Sequence, residues 1–186
     1  MSWLDRLMRR EAPSADAVPA ADAADRLRAE VLDVDGWRPA TLEVRATRLS
    51  DALNEADGEV TATDFDGAPI DLDTVLLVIP PADDHAGDPA RKLHRPGRPL
   101  WVRIGEWAVT GSLHTPPGTV GSAFLLRRNL RFFVLTDAVV ARSVAGGREE
   151  RRVPVLLVNL MQVSSLRDTP DLEPAQTAVE VPPVSS

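Results

Sequence analysis

The chain has 186 residues, a net charge of −7 and no cysteine, which excludes disulfides, thiolate catalysis and zinc–thiolate centres. A hydrophobic share of 44% is enough for one medium core or two small ones. No apolar run is much longer than a strand, so no secretory core region or membrane-spanning helix is expected, and the expected compartment is the cytoplasm.

Residues 1–10 read as a short amphipathic helix. Ser2 can cap it, Asp5 stands three positions on, and Trp3, Leu4, Leu7 and Met8 form one apolar stripe at helical spacing. Ten residues cannot hold a helix alone in water, so the stripe must pack on something. Residues 11–24, an Ala/Pro/Asp tract with little bulk to bury, read as a flexible linker.

A first β-rich unit, 25–81, follows. Arg28–Val34 and Thr41–Ala46 read as strands joined by an Asp35-Gly36 turn, and Leu49–Asn54 as a turn or two of helix. Val60–Phe65 turns at Asp66-Gly67, and the continuous apolar run Val75–Ile79 fits a strand buried on both faces. Residues 82–97, mixed in charge and rich in Gly and Pro, read as an exposed connection.

The second unit, 98–167, has strands at Leu100–Ile104, Trp107–His114, Phe132–Val140 and Val153–Val163. A Pro116-Pro117-Gly118 turn and a short helix near Ser122–Arg128 separate the middle pair. Residues 168–186 read as a disordered tail.

The two units echo one another. Trp37 matches Trp107, Leu42 matches Leu113, Thr63-Asp64 matches Thr136-Asp137, and Val75–Val78 matches Val155–Val158. The offset grows from 70 at the tryptophans through 71 and 73 to 80, as when a duplicated unit gains residues in surface loops. Strand, strand, short helix, strand, strand is the order in both. The expected fold is therefore mainly β, a tandem of duplicated small barrel-like units that share an interior or pack about a pseudo-twofold axis. Charge divides the copies: residues 11–90 carry −14 and residues 91–152 carry +8. Opposite charges of this kind favour contact between the halves, or head-to-tail self-association.

Thr110–Gly118, with Leu135-Thr136-Asp137-Ala138 and Leu157-Val158-Asn159, resembles a family of small bacterial β-domains to which no activity is attached. The resemblance covers about residues 100–166 and implies a compact barrel-like fold. In that family the short helix opens Ser-Asp-x-Leu-Asn; Ser50-Asp51-Ala52-Leu53-Asn54 keeps this pattern and Ser122-Ala123-Phe124-Leu125 departs from it.

Catalytic patterns are weak. Asp83, Asp84 and His85 are adjacent in a loop with no strand or helix spacing to aim them at one ion, so a solvated loop is the better reading. Ser122, His114 and Asp137 could be drawn as a triad, but no Gly-x-Ser-x-Gly elbow surrounds the serine. Asp64 and Asp137 fit better as acceptors of backbone N–H groups where strands bend. No glycine-rich phosphate loop is present. No catalytic residue, metal or cofactor is therefore assigned, and an enzyme is not expected.

Arg127, Arg128 and Arg131 form a candidate anion site, since guanidinium forks suit phosphate and carboxylate groups. Their spacing differs from the Arg-Arg-x-x-x-Arg pattern of cyclic-dinucleotide binders. The competing reading places them on a solvated face, partly turned to the acidic unit. Aromatic residues make up 4% of the chain and tyrosine is absent, so nucleic acid is not expected. The leading expectation is a non-enzymatic adaptor that docks through Trp3, Leu4, Leu7 and Met8 into a protein groove. A membrane surface ranks lower, because four apolar residues give little lipid affinity. The alternative is a sensor of an anionic metabolite or nucleotide at the three arginines.

Overall fold

Period-two alternation places Leu27, Ala29 and Val31 on one face of β1 (Asp25–Asp33), and Ala40, Leu42 and Val44 on the same face of β2 (Gly36–Val44). Asp33 and Gly36 close the hairpin between them. Asp33 accepts a hydrogen bond from the Asp35 N–H at 2.9 Å, and Gly36 takes φ 125°, a region closed to other residues. These are elements of a computed structural model that describes residues 25–45, 48–54, 60–82, 97–128 and 130–169. The expected N-terminal helix and linker, residues 83–96 of the connection, and residues 170–186 of the tail lie outside them.

The chain continues through α1 (Leu49–Ala52), β3 (Thr61–Thr63), β4 (Leu77–Ile79), β5 (Gly97–Ile104) and β6 (Trp107–His114). It then forms α2 (Gly121–Arg127), β7 (Phe132–Val144) and β8 (Gly147–Asn159), makes a 3-10 turn at Leu160–Gln162, and ends in β9 (Val163–Asp168). Among the described residues the nine strands join one open antiparallel sheet in the order β3-β2-β1-β4-β8-β7-β6-β5-β9. Two closed barrels would need a break between the halves. Instead β4 pairs with β8, Leu77 opposite Val158 and Val78 opposite Leu157, and the sheet runs through.

Each half contributes a hydrophobic core, and the two cores use opposite faces of the central strands. Val75, Val78, Phe132 and Leu157 join the core of β1–β3 and α1, with Val31, Leu42 and Leu49. Their neighbours Leu76, Leu77, Phe133 and Leu156 join the core of β5–β8 and α2, with Val102, Val109 and Leu125. Both faces of β4 and of the adjoining part of β8 are therefore buried, and this is why Val75–Ile79 and Val155–Val158 are apolar without interruption.

The strand order corrects one part of the internal match. In each half the first three strands run as a meander with the short helix between the second and third: β1-β2-α1-β3 and β5-β6-α2-β7. The fourth strand differs. β4 returns to lie beside β1, whereas β8 lies beside β7, and it is β9 that returns to lie beside β5. Val75–Val78 and Val155–Val158 thus do not hold equivalent places in the sheet.

The single strand expected at Val153–Val163 is likewise two strands. Asn159, buried among apolar neighbours, accepts the Met161 N–H at 3.0 Å and donates to the Val75 carbonyl at 2.8 Å, which turns the chain into β9. The tail, expected to begin at residue 168, begins no earlier than the end of this strand.

A bulge reshapes β7. Thr110 and Ser112 of β6 face Val139 and Thr136, so β7 carries an extra residue, and Asp137 takes it up at φ 51°. Pro154 stands opposite Asp137, where the missing proline N–H costs least. Alternation flips there: Phe133 and Leu135 point into the second core before the bulge, and Ala138 and Val140 after it. Gly111 lies against this crossing, where a Cβ would come within 3.1 Å of both Leu135 Cβ and the Thr136 carbonyl oxygen.

Candidate functional site

A polar and aromatic assembly lies where the halves meet. Trp37 and Trp107 each open the second strand of a hairpin, β2 and β6, and both point toward the second core. Their rings meet edge to face, with centroids 6.2 Å apart and planes at 75°, a favoured aromatic geometry.

Arginine planes cover both rings. The Arg151 guanidinium sits 5.1 Å from the Trp37 centroid, and that of Arg142 sits 4.5 Å from the Trp107 centroid. Carboxylates fix both arginines. Arg151 donates two parallel bonds to Glu30, Nη1 to Oε2 at 2.7 Å and Nη2 to Oε1 at 2.8 Å. Arg142 Nε donates to Glu149 at 2.7 Å, directly across the β7–β8 ladder.

The order Glu30–Arg151–Trp37–Trp107–Arg142–Glu149 therefore spans β1, β2, β6, β7 and β8. The two hydrogen bonds from Arg151 hold the Glu30 carboxyl below the usual carboxylate range, against the opposing effect of partial burial, and raise Arg151 in turn. Each charge already has its partner. The cluster joins side chains of both halves through hydrogen bonds and ring contacts.

A second stitch joins the halves at α1. The Asn54 side chain donates to the carbonyls of Ser50 (2.6 Å) and Phe132 (2.8 Å), and its oxygen accepts the N–H groups of Arg131 (2.8 Å) and Phe132 (2.9 Å). This is the last residue of Ser50-Asp51-Ala52-Leu53-Asn54, and its amide uses its full donor and acceptor capacity on the start of β7.

The sequence-derived candidates fall as follows. Arg127 and Arg128 are exposed at the end of α2, with Arg128 4.7 Å over the Phe124 ring. Arg131 turns away to the first half, where it meets Asp73 at 2.5 Å and lies 5.6 Å from the Phe132 centroid. Arg148 and Arg152 both pair with Glu150, at 3.2 and 3.5 Å. Much of the basic half is thus matched to carboxylates, two of them across the halves.

Ser122 and His114 do not form a triad with Asp137. The Ser122 N–H and hydroxyl both go to the Asp168 carboxylate, His114 Nε2 lies 2.8 Å from the Thr136 hydroxyl, and Asp137 occupies the bulge. Asp64 accepts the N–H groups of Asp66 (3.0 Å) and Ala68 (2.8 Å), the strand-end role expected of it. Trp3, Leu4, Leu7 and Met8 lie outside the described residues, as do Asp83, Asp84 and His85.

Sequence reasoning missed the Glu30–Arg151 fork and the Asn54 stitch. The signals were the matched tryptophans just past the turn of each first hairpin and the intact Ser-Asp-x-Leu-Asn run. Among the described residues no group of three or more His, Asp or Glu side chains could hold a metal ion, and no helix is long and apolar enough to cross a membrane. No known protein family matches the sequence, and neither does any curated protein.

Proposed function

We propose that this chain is a non-enzymatic interaction module, in which a stiff double β unit carries a docking helix at residues 1–10. The observation behind this reading is the seam between the halves. Its ionisable and aromatic groups engage one another and so favour two surfaces presented in one fixed orientation, as a scaffold requires. In this reading Trp3, Leu4, Leu7 and Met8 fill a groove on a protein partner, and the Ala/Pro/Asp tract gives the helix reach. The halves descend from one duplicated unit of small-barrel type. Their shared strand–strand–helix–strand order and the meeting of the matched Trp37 and Trp107 support that origin.

The test is affinity capture with the full chain, with a chain lacking residues 1–10, and with a Trp3→Ala/Leu7→Ala variant. A partner held by the full chain and lost from both others supports docking through the stripe. An identical set of partners from all three overturns it.

A further inference from the structure

Two turns of the first half leave an apolar side chain outside the fold. Asp33-Val34-Asp35-Gly36 joins β1 to β2, and Asp64-Phe65-Asp66-Gly67 follows β3. Both close the same way. The first aspartate accepts the N–H of the second, at 2.9 and 3.0 Å, and the glycine takes a positive φ, 125° and 83°. Val34 is 83% exposed and Phe65 89%. Thr63 lies opposite Thr41, so β3 runs toward the Gly36 end of β2 and both turns open at one end of the sheet. The Asp35 and Asp66 carboxylates meet no cation among the described residues. This end is apolar and acidic.

The matching chemistry lies on the second half. In β5, Leu100, Val102 and Ile104 face the second core, so Trp101 and Arg103 stand on the other face. The register carries that face across the sheet: Trp101 is opposite Arg167 of β9 and Thr110 of β6, and Thr110 is opposite Val139 of β7. The Arg167 guanidinium lies 5.4 Å from the Trp101 centroid, and Arg103 Nε donates to the Gly105 carbonyl at 3.0 Å. Neither arginine meets a carboxylate among the described residues, whereas Arg152, opposite Val139, is matched to Glu150. The open positive charge of this face therefore sits beside its tryptophan.

The two surfaces are complementary, and the fold keeps them apart within one molecule. β3 and β5 stand seven places apart in the strand order, roughly 34 Å along the open sheet at about 4.8 Å per strand. A second copy can supply what the first cannot reach. A phenylalanine held on a closed turn also loses little freedom on docking, which suits it to anchor a contact.

From this placement we infer that the chain associates head to tail with copies of itself. Phe65 of one copy packs on Trp101 of the next, and Asp66 meets Arg103 and Arg167. The contact is heterologous, so every copy keeps one surface free and assembly grows as a chain or closes as a ring. The inference does not rest on residues 1–10, and its failure leaves the docking helix untouched.

Sedimentation velocity on the full chain, at low salt and over about a hundredfold range of concentration, tests it. The weight-average coefficient should climb with concentration. F65S and R103E/R167E, both changed at exposed side chains, should each raise the dissociation constant at least about tenfold. Mixed in equal amounts, the two variants should form a pair and nothing larger, because F65S keeps the face and R103E/R167E keeps the turn. A parent chain that stays monomeric throughout overturns the inference, and so does F65S assembling as the parent does. A mixture that remains monomeric while the parent assembles also overturns it.

Discussion

Asn54 shows how one side chain can secure two elements. Four hydrogen bonds converge on it, and two of its partners are backbone N–H groups at the start of β7. Asn54→Ala leaves those groups unmet beside the first core. The expected cost is about 2–3 kcal/mol, because unsatisfied polar groups lose their full hydration. Thermal denaturation should show a fall of roughly 5–10 °C in Tm; a shift below about 2 °C would show that solvent replaces the amide.

The Glu30–Arg151 fork gives a pH-dependent counterpart. The folded-state pKa of Glu30 lies below its ordinary value, so the fork's contribution is complete above the unfolded carboxylate pKa and is lost as pH falls through the lower, folded one. Both side chains are partly exposed, so the gain is limited to about 1 kcal/mol even for bidentate geometry. In urea titrations Glu30→Gln should be less stable than the parent at pH 7, with the two curves converging toward pH 3. A gap that stays constant across that range would rule out the carboxylate charge as its source.

At the scale of elements, the bulge in β7 decides which side chains face the second core. Asp137 holds φ 51°, where glycine is at ease, aspartate is tolerated and a β-branched residue is strained. Asp137→Gly should therefore be neutral or slightly stabilising, whereas Asp137→Val should cost about 1–2 kcal/mol. Chemical denaturation of the pair measures the difference. Equal stability of the two variants would mean that the bulge moves elsewhere in β7 when challenged.

Much at this scale was readable from sequence. Trp107–His114 is a strand with the bounds read from the sequence, and the apolar run 75–79 is buried on both faces. β9 was not readable: Val163-Ser164-Ser165-Leu166-Arg167-Asp168 has few apolar residues, because an edge strand buries only part of one face. Nor was the bulge, since Asp137 and Pro154 signal irregularity singly and acquire meaning only as opposed residues on paired strands.

For the whole molecule, the central strands tie the cores together. Leu156 belongs to one core and Leu157, the next residue, to the other, so neither core can dissolve without exposing the reverse side of the same strand. Calorimetry should record one transition, with equal van't Hoff and calorimetric enthalpies. Two resolved transitions would show that the halves hold their cores independently. The opposite charges of the halves act at this scale too, through Arg151 with Glu30 and Arg131 with Asp73.

The sequence alone determined a mainly β chain without cysteine, most of its strands, both short helices and the charge division, because these follow from local spacing and residue type. The tertiary structure alone decided that β4 meets β8 in one continuous sheet, that a polar edge strand closes the order, and which cations face which carboxylates. Those outcomes depend on contacts between residues up to 121 positions apart, where pattern along the chain carries no information about partner.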